Sequence, residues 1–449
     1  MKYTTTNGAV TNKTSGKECL DLFNRIGNMR YSDRLHILED FDKAFKEDKE
    51  LATQVLFWAR AAREGSGERK TFHTVLSEIG ETSPDFISDN ARTLAELGYW
   101  KDLIPYFHIQ KVICIFAQAI REKDRLACKW APRKCAVLRD ELGFTNREYR
   151  KWLKRYSSTV EQQMSDKEWG EINYSSVPGS AMRKYGRAFT KQDSKRFDEW
   201  KNDKTTKASV SATYPHDIFK IDDKALVEKQ WNSLPNYLED SNEVILPMID
   251  TSGSMFGEPL AIAVSLGMYL AERNNSEFKD MFLSFSEQPE LIKITGTDVM
   301  DKMRNIEGAH WGMNTDFEAA YMHILNMAKK HNVVKSSMPT MLLVLSDMQF
   351  DDSQHDMPHF NHMKEEYEKY GYDLPKIVFW NLAAYPGTPA ECSDDNVAMV
   401  SGFNPKIMEA VLNAEDFNPI SVMMEALKPI SELLDCSNLP SQFKYRREI

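Results

Sequence analysis

Paired cysteine signatures are missing from this chain. Its six cysteines (Cys19, Cys114, Cys128, Cys135, Cys392 and Cys436) are scattered without a C-x-x-C pair, so no zinc ribbon or redox motif is spelled out. A chain of 449 residues does not need disulfides to hold a core, and reduced thiols in a cytoplasmic setting are the simpler expectation. No charge-free apolar run of about 18 residues occurs, so neither a transmembrane helix nor a membrane partner is expected. Residues 1–16, M-K-Y-T-T-T-N-G-A-V-T-N-K-T-S-G, lack the apolar core of a signal peptide and read as a flexible polar tail. Enzyme signatures are absent too. There is no H-E-x-x-H, no G-K-[ST] and no convincing Ser-His-Asp or Cys-His set. A non-enzymatic protein is the expectation.

What is present is ordinary in amount and uneven in placement. Apolar residues make up 42% and charged residues 28% of the chain, as in soluble globular proteins, and the length suggests two domains or one elongated domain. The net charge is -10, which alone argues against a nucleic-acid binder. Residues 101–207, however, hold 24 Lys+Arg against 14 Asp+Glu, or +10, leaving -20 for the remainder. One basic segment in an acidic chain points to a polyanion partner for that segment.

Before about residue 240 there is little period-2 alternation, and apolar residues recur at helical spacing. Leu35, Leu38, Phe41 and Phe45 mark one helix, and Val55, Leu56, Trp58, Ala59 and Ala62 a second. Phe72, Val75, Leu76 and Ile79 mark a third. Short helices joined by short loops suggest an α-solenoid of HEAT-like helical repeats. Gly65-Ser66-Gly67 follows no strand and reads as a helix-helix turn rather than a phosphate cradle.

The basic segment interleaves charge with aromatics. Lys129, Arg133, Lys134, Arg147 and Arg150 lie among Trp130, Tyr149, Trp152 and Tyr156, while Arg183, Lys184 and Arg187 lie near Tyr185 and Phe189. Cations supply phosphate contacts and aromatic faces stack on unpaired bases. A merely solvated basic face is the competing reading, and many of these aromatics must also serve the core.

From Val244 onward, strand-like runs alternate with helix-like ones, which argues for a parallel-rich sheet covered on both faces. Expected strands are Val244 to Ile249, Met281 to Phe285, Leu291 to Ile294, Met341 to Leu345, Ile377 to Leu382 and Val397 to Val400. The first ends in D-T-S-G-S, with Asp250, Ser252 and Ser254 in one tight turn. Asp347 ends the run from Met341, and Thr315 precedes the helix-like segment from Phe317. A carboxylate and small hydroxyls at strand ends suit a hard cation such as Mg2+, with Mn2+ or Ca2+ as alternatives. A capped helix N-terminus is the bland reading of the same turn. His355, His359 and His362 form a second constellation, spaced for one helical face, where a solvated loop is the competing reading.

D-x-S-x-S, then a loop threonine, then a strand-end aspartate resembles the metal-ion-dependent adhesion site (MIDAS) of the von Willebrand factor A domain. The resemblance implies direct metal contact by Ser252, Ser254 and Thr315, with Asp250 and Asp347 acting through water. Leu56 to Lys70, Leu97 to Leu103, Ala127 to Arg133 and Tyr174 to Tyr185 resemble the helical domain of the Ro autoantigen (TROVE) proteins and their plant, fungal and phage relatives. Those proteins join a ring of helical repeats to a von Willebrand A domain. The resemblance implies binding of small or misfolded non-coding RNA through single-stranded ends, as a ribonucleoprotein without chemistry. The expected boundaries are 17–202 for the helical-repeat domain, 203–240 for a linker, 241–430 for the von Willebrand A-like domain and 431–449 for a weakly packed tail. The alternative is a metal-dependent interaction adaptor, for example of an AAA+ ATPase, whose metal captures an Asp or Glu of a protein partner.

Overall fold

A computed structural model describes residues 2–5, 10–285, 289–307, 317–350 and 360–446. The chain forms two compact units. Residues 1–32 and 213–428 make a sheet unit, and residues 33–212 and 429–449 make a helical unit.

The sheet unit begins with a short antiparallel pair, β1 (Lys2–Thr4) and β2 (Val10–Asn12). Its main sheet contains β3 (Ile245–Asp250), β4 (Met281–Phe285), β5 (Leu291–Lys293), β6 (Met341–Ser346), β7 (Lys376–Asn381) and β8 (Val397–Ser401). The spatial order is β5-β4-β3-β6-β7-β8. All pairings are parallel except β4 with β5. Counted within this sheet, that is the 3-2-1-4-5-6 order of a doubly wound α/β fold. Every residue of β3, β6 and β8 is buried. Successive side chains of a strand point to opposite faces, so unbroken burial means that both faces are covered.

One cover was not legible in the sequence. Helix Glu18–Ile26 packs against β8, and the chain leaves it at Gly27, where a Cβ would stand 2.8 Å from the Gly402 amide nitrogen. The backbones meet too closely there for a side chain. Asn381 Nδ2 donates to the Asn24 carbonyl at 2.9 Å, and Ser401 Oγ donates to the Phe23 carbonyl at 2.7 Å. The expected polar tail is likewise tied down. Asn12 and Thr388 exchange backbone hydrogen bonds, Thr11 Oγ1 donates to the Thr388 carbonyl at 2.7 Å, and Cys392 N donates to the Ser15 carbonyl. Thr and Ser hydroxyls that satisfy backbone groups register as polar in a sequence and end up buried.

The linker boundary also moves. Residues 213–240 belong to the sheet unit. Helix Lys224–Trp231 buries Trp231, whose Nε1 donates to Glu272 at 2.6 Å, while Tyr269 Oη donates to the Pro235 carbonyl.

In the helical unit, side-chain caps explain why helices are short and closely joined. Asp33 accepts from the His36 amide, Asp48 from those of Glu50 and Leu51, and Asp124 from that of Ala127. Thr145 and Glu148 form a reciprocal capping box. Each satisfies amides that a helix start would leave unpaired. The main packing runs between near neighbours in the chain. Arg34–Glu47 lies on Lys49–Arg60 and Lys70–Thr82, and Gln110–Arg121 on Arg125–Trp130 and Ala136–Leu142. Such local packing is the habit of a helical solenoid. The C-terminal segment is no weakly packed tail. Phe443 is buried in edge contact with Phe41 at 4.9 Å between centroids. Asn90 and Asp435 exchange hydrogen bonds, side-chain amide to carbonyl and amide to side-chain carbonyl, at 2.8 and 2.9 Å.

Candidate functional site

β3 is the first strand of the sheet in chain order and β6 the fourth, and they lie side by side. The winding reverses between them, which opens a crevice at their carboxyl ends. Asp250 ends β3 and Asp347 follows β6 directly. The next turn, Gly253–Met255, carries Ser254, and helix Glu258–Arg273 then starts with Pro259 in its first turn, where proline costs no hydrogen bond.

These side chains form one network. Asp250 Oδ1 accepts from the Ser252 amide at 2.9 Å, and Asp250 Oδ2 from the Ser346 hydroxyl at 2.5 Å. Ser346 Oγ in turn accepts from the Met348 amide at 2.9 Å. Ser252 Oγ and Ser254 Oγ are 3.0 Å apart. Asp347 Oδ1 accepts from the Gln349 amide at 3.0 Å, while its buried Oδ2 has no hydrogen-bond partner among the described residues. Both carboxylates are fully buried. Burial pushes the Asp250 carboxyl up to about 6, with the Ser346 hydrogen bond opposing and the Asp347 charge assisting. Burial also raises that of Asp347, against a lowering by the Ser254 hydroxyl. The groups that act most strongly on either carboxyl include no cation.

The donor set fits a hard divalent cation. It offers two adjacent hydroxyls, an orphaned carboxylate oxygen and a second carboxylate already oriented by neighbours. Among the described residues no three His, Cys, Asp or Glu side chains gather as a metal cluster, so hydroxyls are the distinctive donors. Four of the five expected residues, Asp250, Ser252, Ser254 and Asp347, are thus brought together. Thr315 lies outside the described residues, as do His355, His359 and the side chain of His362. Ser346 was missed by sequence reasoning. Its signal was slight: the final residue of an apolar run, just ahead of an aspartate.

The basic residues are placed on several helices. Lys129 ends Arg125–Trp130, Arg133 and Lys134 follow it in a turn, and Arg147 and Arg150 lie on Asn146–Ser157. Those two helices pack together, so these five cations share one region. Arg183, Lys184 and Arg187 lie on Gly179–Gln192, which packs on Ser194–Asn202. All are exposed except Lys129, which is half-buried. Of the interleaved aromatics, Tyr149 and Phe189 are core, whereas Trp130, Trp152, Tyr156 and Tyr185 keep part of their surface exposed. The Gly65-Ser66-Gly67 loop is no phosphate cradle. The amides of Gly65 and Gly67 turn back to the Ala61 carbonyl and that of Glu68 to Ala59, so they finish a helix rather than face an anion.

Residues 5–113 and 117–244 match the family described as "Domain of unknown function (DUF2828)", and residues 245–431 match "Domain of unknown function (DUF7788)". The uncharacterized protein L728 of Acanthamoeba polyphaga mimivirus is similar at 26% identity, with 95% of this chain and 87% of that protein covered. Among solved structures, the crystal structure of the Deinococcus radiodurans RO (RSR) protein is similar at 13% identity and TM-score 0.39, covering 91% of this chain and 93% of that one. The first of these matches takes in more than half of the residues, and the chain belongs to the DUF2828 family.

Proposed function

We propose that this protein is a non-enzymatic RNA-binding protein of Ro type, which takes small or misfolded non-coding RNA on its basic helical unit. The observation that carries the reading is the exposed set of Arg133, Lys134, Arg147, Arg150, Arg183, Lys184 and Arg187 in a chain whose other parts are acidic. Part-exposed Trp130, Trp152, Tyr156 and Tyr185 stand among them, which favours unpaired bases over duplex. Contact with roughly five phosphates gives a salt slope of about -3 to -4 in log affinity against log salt. The test is a gel-shift series with a structured RNA bearing a single-stranded 3′ end. Purification without nuclease and sequencing of co-purified RNA would identify the species. A slope near zero would leave only a solvated basic face.

In the same proposal the sheet unit holds one Mg2+, or Mn2+ or Ca2+, on Ser252 and Ser254, with Thr315 as the third hydroxyl ligand and Asp250 and Asp347 in support. The bound ion would supply positive charge and an open coordination position. Ser346 holds Asp250 in place, and the Gln349 amide does the same for Asp347. The hydroxyl-rich donor set favours a second reading, a protein-interaction adaptor in which a partner's Asp or Glu completes the coordination. Thr315→Ala would then lose that partner in a pull-down while RNA binding persists.

A further inference from the structure

Tyr99, Lys101 and Trp130 form a half-buried cluster in the helical unit. The two rings lie 5.6 Å apart between centroids at 54°. The Lys101 ammonium lies over both rings, 5.4 Å from the Tyr99 ring centre and 4.6 Å from that of Trp130. Arg60 and Arg69 approach the Tyr99 ring at 5.1 and 6.0 Å, and Lys129 approaches Trp130 at 5.4 Å. Four cations therefore crowd two aromatic rings.

The carboxylate of this cluster is already used. Buried Asp102 accepts from Arg60 Nε at 3.0 Å and Nη2 at 2.5 Å and from the Tyr99 amide at 2.9 Å, all on Oδ2. Its Oδ1 faces His73 Nε2 at 3.1 Å. This pairing neutralises Arg60 and fixes the turn that presents Tyr99. Gly98 is required for it, since a Cβ there would stand 2.4 Å from Asp102 Oδ2. Among the described residues Arg69, Lys101 and Lys129 make no ion pair. Burial lowers the Lys101 pKa and the neighbouring Arg69 charge lowers it further, with the Asp102 charge opposing both. Positive charge accumulates here beyond what the fold consumes, and an anion would relieve it.

We infer that the Tyr99–Lys101–Trp130 cluster is a station for one unpaired nucleotide of a single-stranded RNA, its phosphate held by Lys101, Arg69 and Lys129 and its base laid against an aromatic face. A cation set alone would suit any phosphate, but the part-exposed rings add a flat apolar surface of the kind a base stacks on. In a duplex those faces are hidden. The inference rests on the RNA-binding reading and adds a defined place to it.

The test uses the full chain with a fluorescein-labelled oligouridylate, and the same oligomer carrying 5-iodouridine for photo-crosslinking. Trp130→Ala should weaken binding about tenfold, the scale of one lost stacking contact, with Trp130→Phe retaining most of it. Lys101→Gln should reduce the salt slope by about 0.7, the share of one phosphate on a single strand, and Lys101→Arg should restore it. The crosslink should fall on Tyr99 or Trp130. Unchanged affinity and slope in these variants, with crosslinks elsewhere, would overturn the station while leaving RNA binding in place. Failure of the unaltered protein to bind either this oligomer or a structured RNA would instead remove the RNA reading and the station with it.

Discussion

Asp250 and Asp347 crowd two buried carboxyls at neighbouring strand ends, whereas Arg69, Lys101 and Lys129, without an ion pair among the described residues, crowd positive charge around two rings of the helical unit. In the proposed reading the first arrangement takes a cation and the second an anion. They differ in economy as well as sign. A parallel sheet delivers its strand ends to one crevice, so a few residues suffice and each is irreplaceable. A helical surface spreads its cations over many turns, so each contributes a share and no single loss is decisive.

The largest expected effect breaks the comparison on the helical side. Reversal of Lys129, Arg133, Lys134, Arg183, Lys184 and Arg187 to Glu should abolish RNA binding in gel shifts. Asp250→Ala should leave that affinity intact. A parallel loss in Asp250→Ala would mean that the two sites are not separate. Next comes the buried pair beneath the aromatic station. Asp102→Ala leaves Arg60 without its partner, both being 2% exposed, and should cost about 3–5 kcal/mol in urea unfolding. Arg60→Leu together with Asp102→Leu should recover much of it.

Acid sharpens the contrast on the sheet side. His216 is buried between Tyr214 and Phe403, and desolvation lowers its pKa from 6.5 to about 4. The folded state therefore binds fewer protons than the unfolded state between those values. Its contribution is complete above pH 6.5 and is lost as pH falls toward 4, to a total of about 3 kcal/mol. Unfolding as a function of pH should show this slope, and His216→Gln should flatten it. Metal should act in the same unit. At a hundredfold excess over its Kd, Mg2+ should stabilise by about 2.7 kcal/mol, seen as a raised Tm, and Asp250→Ala should abolish that rise. The smallest effect is local: Asp48→Ala removes two cap hydrogen bonds and should cost about 1 kcal/mol without touching either site.

Legibility followed distance along the chain. Asp250, Ser252 and Ser254 were readable because one turn contains them, and Asp347 because a second apolar run ends just before it. Ser346, which fastens Asp250 from 96 residues away, had nothing beside it to announce a role. Arg60 and Asp102 are 42 residues apart, and Tyr99 meets Trp130 across two intervening helices, so neither pair has a signature in either periodicity. The interleaved aromatics were visible as a group, but Tyr149 and Trp130 look alike in a sequence and only packing made one core and left the other part-exposed.

By itself the sequence determined the class of each half, because helical spacing and buried apolar runs are local consequences of backbone period and water exclusion. It also determined where charge is surplus, which no packing can change. Tertiary structure alone decided that residues 1–32 complete the sheet unit and 429–449 the helical one. Those segments are short, and beside the burial of Leu20, Phe23 and Phe443 they are held by hydroxyls and amides meeting backbone groups more than 300 residues away. Hydrogen bonds of that kind depend on where two backbones happen to meet, and neither partner carries a local mark of the other.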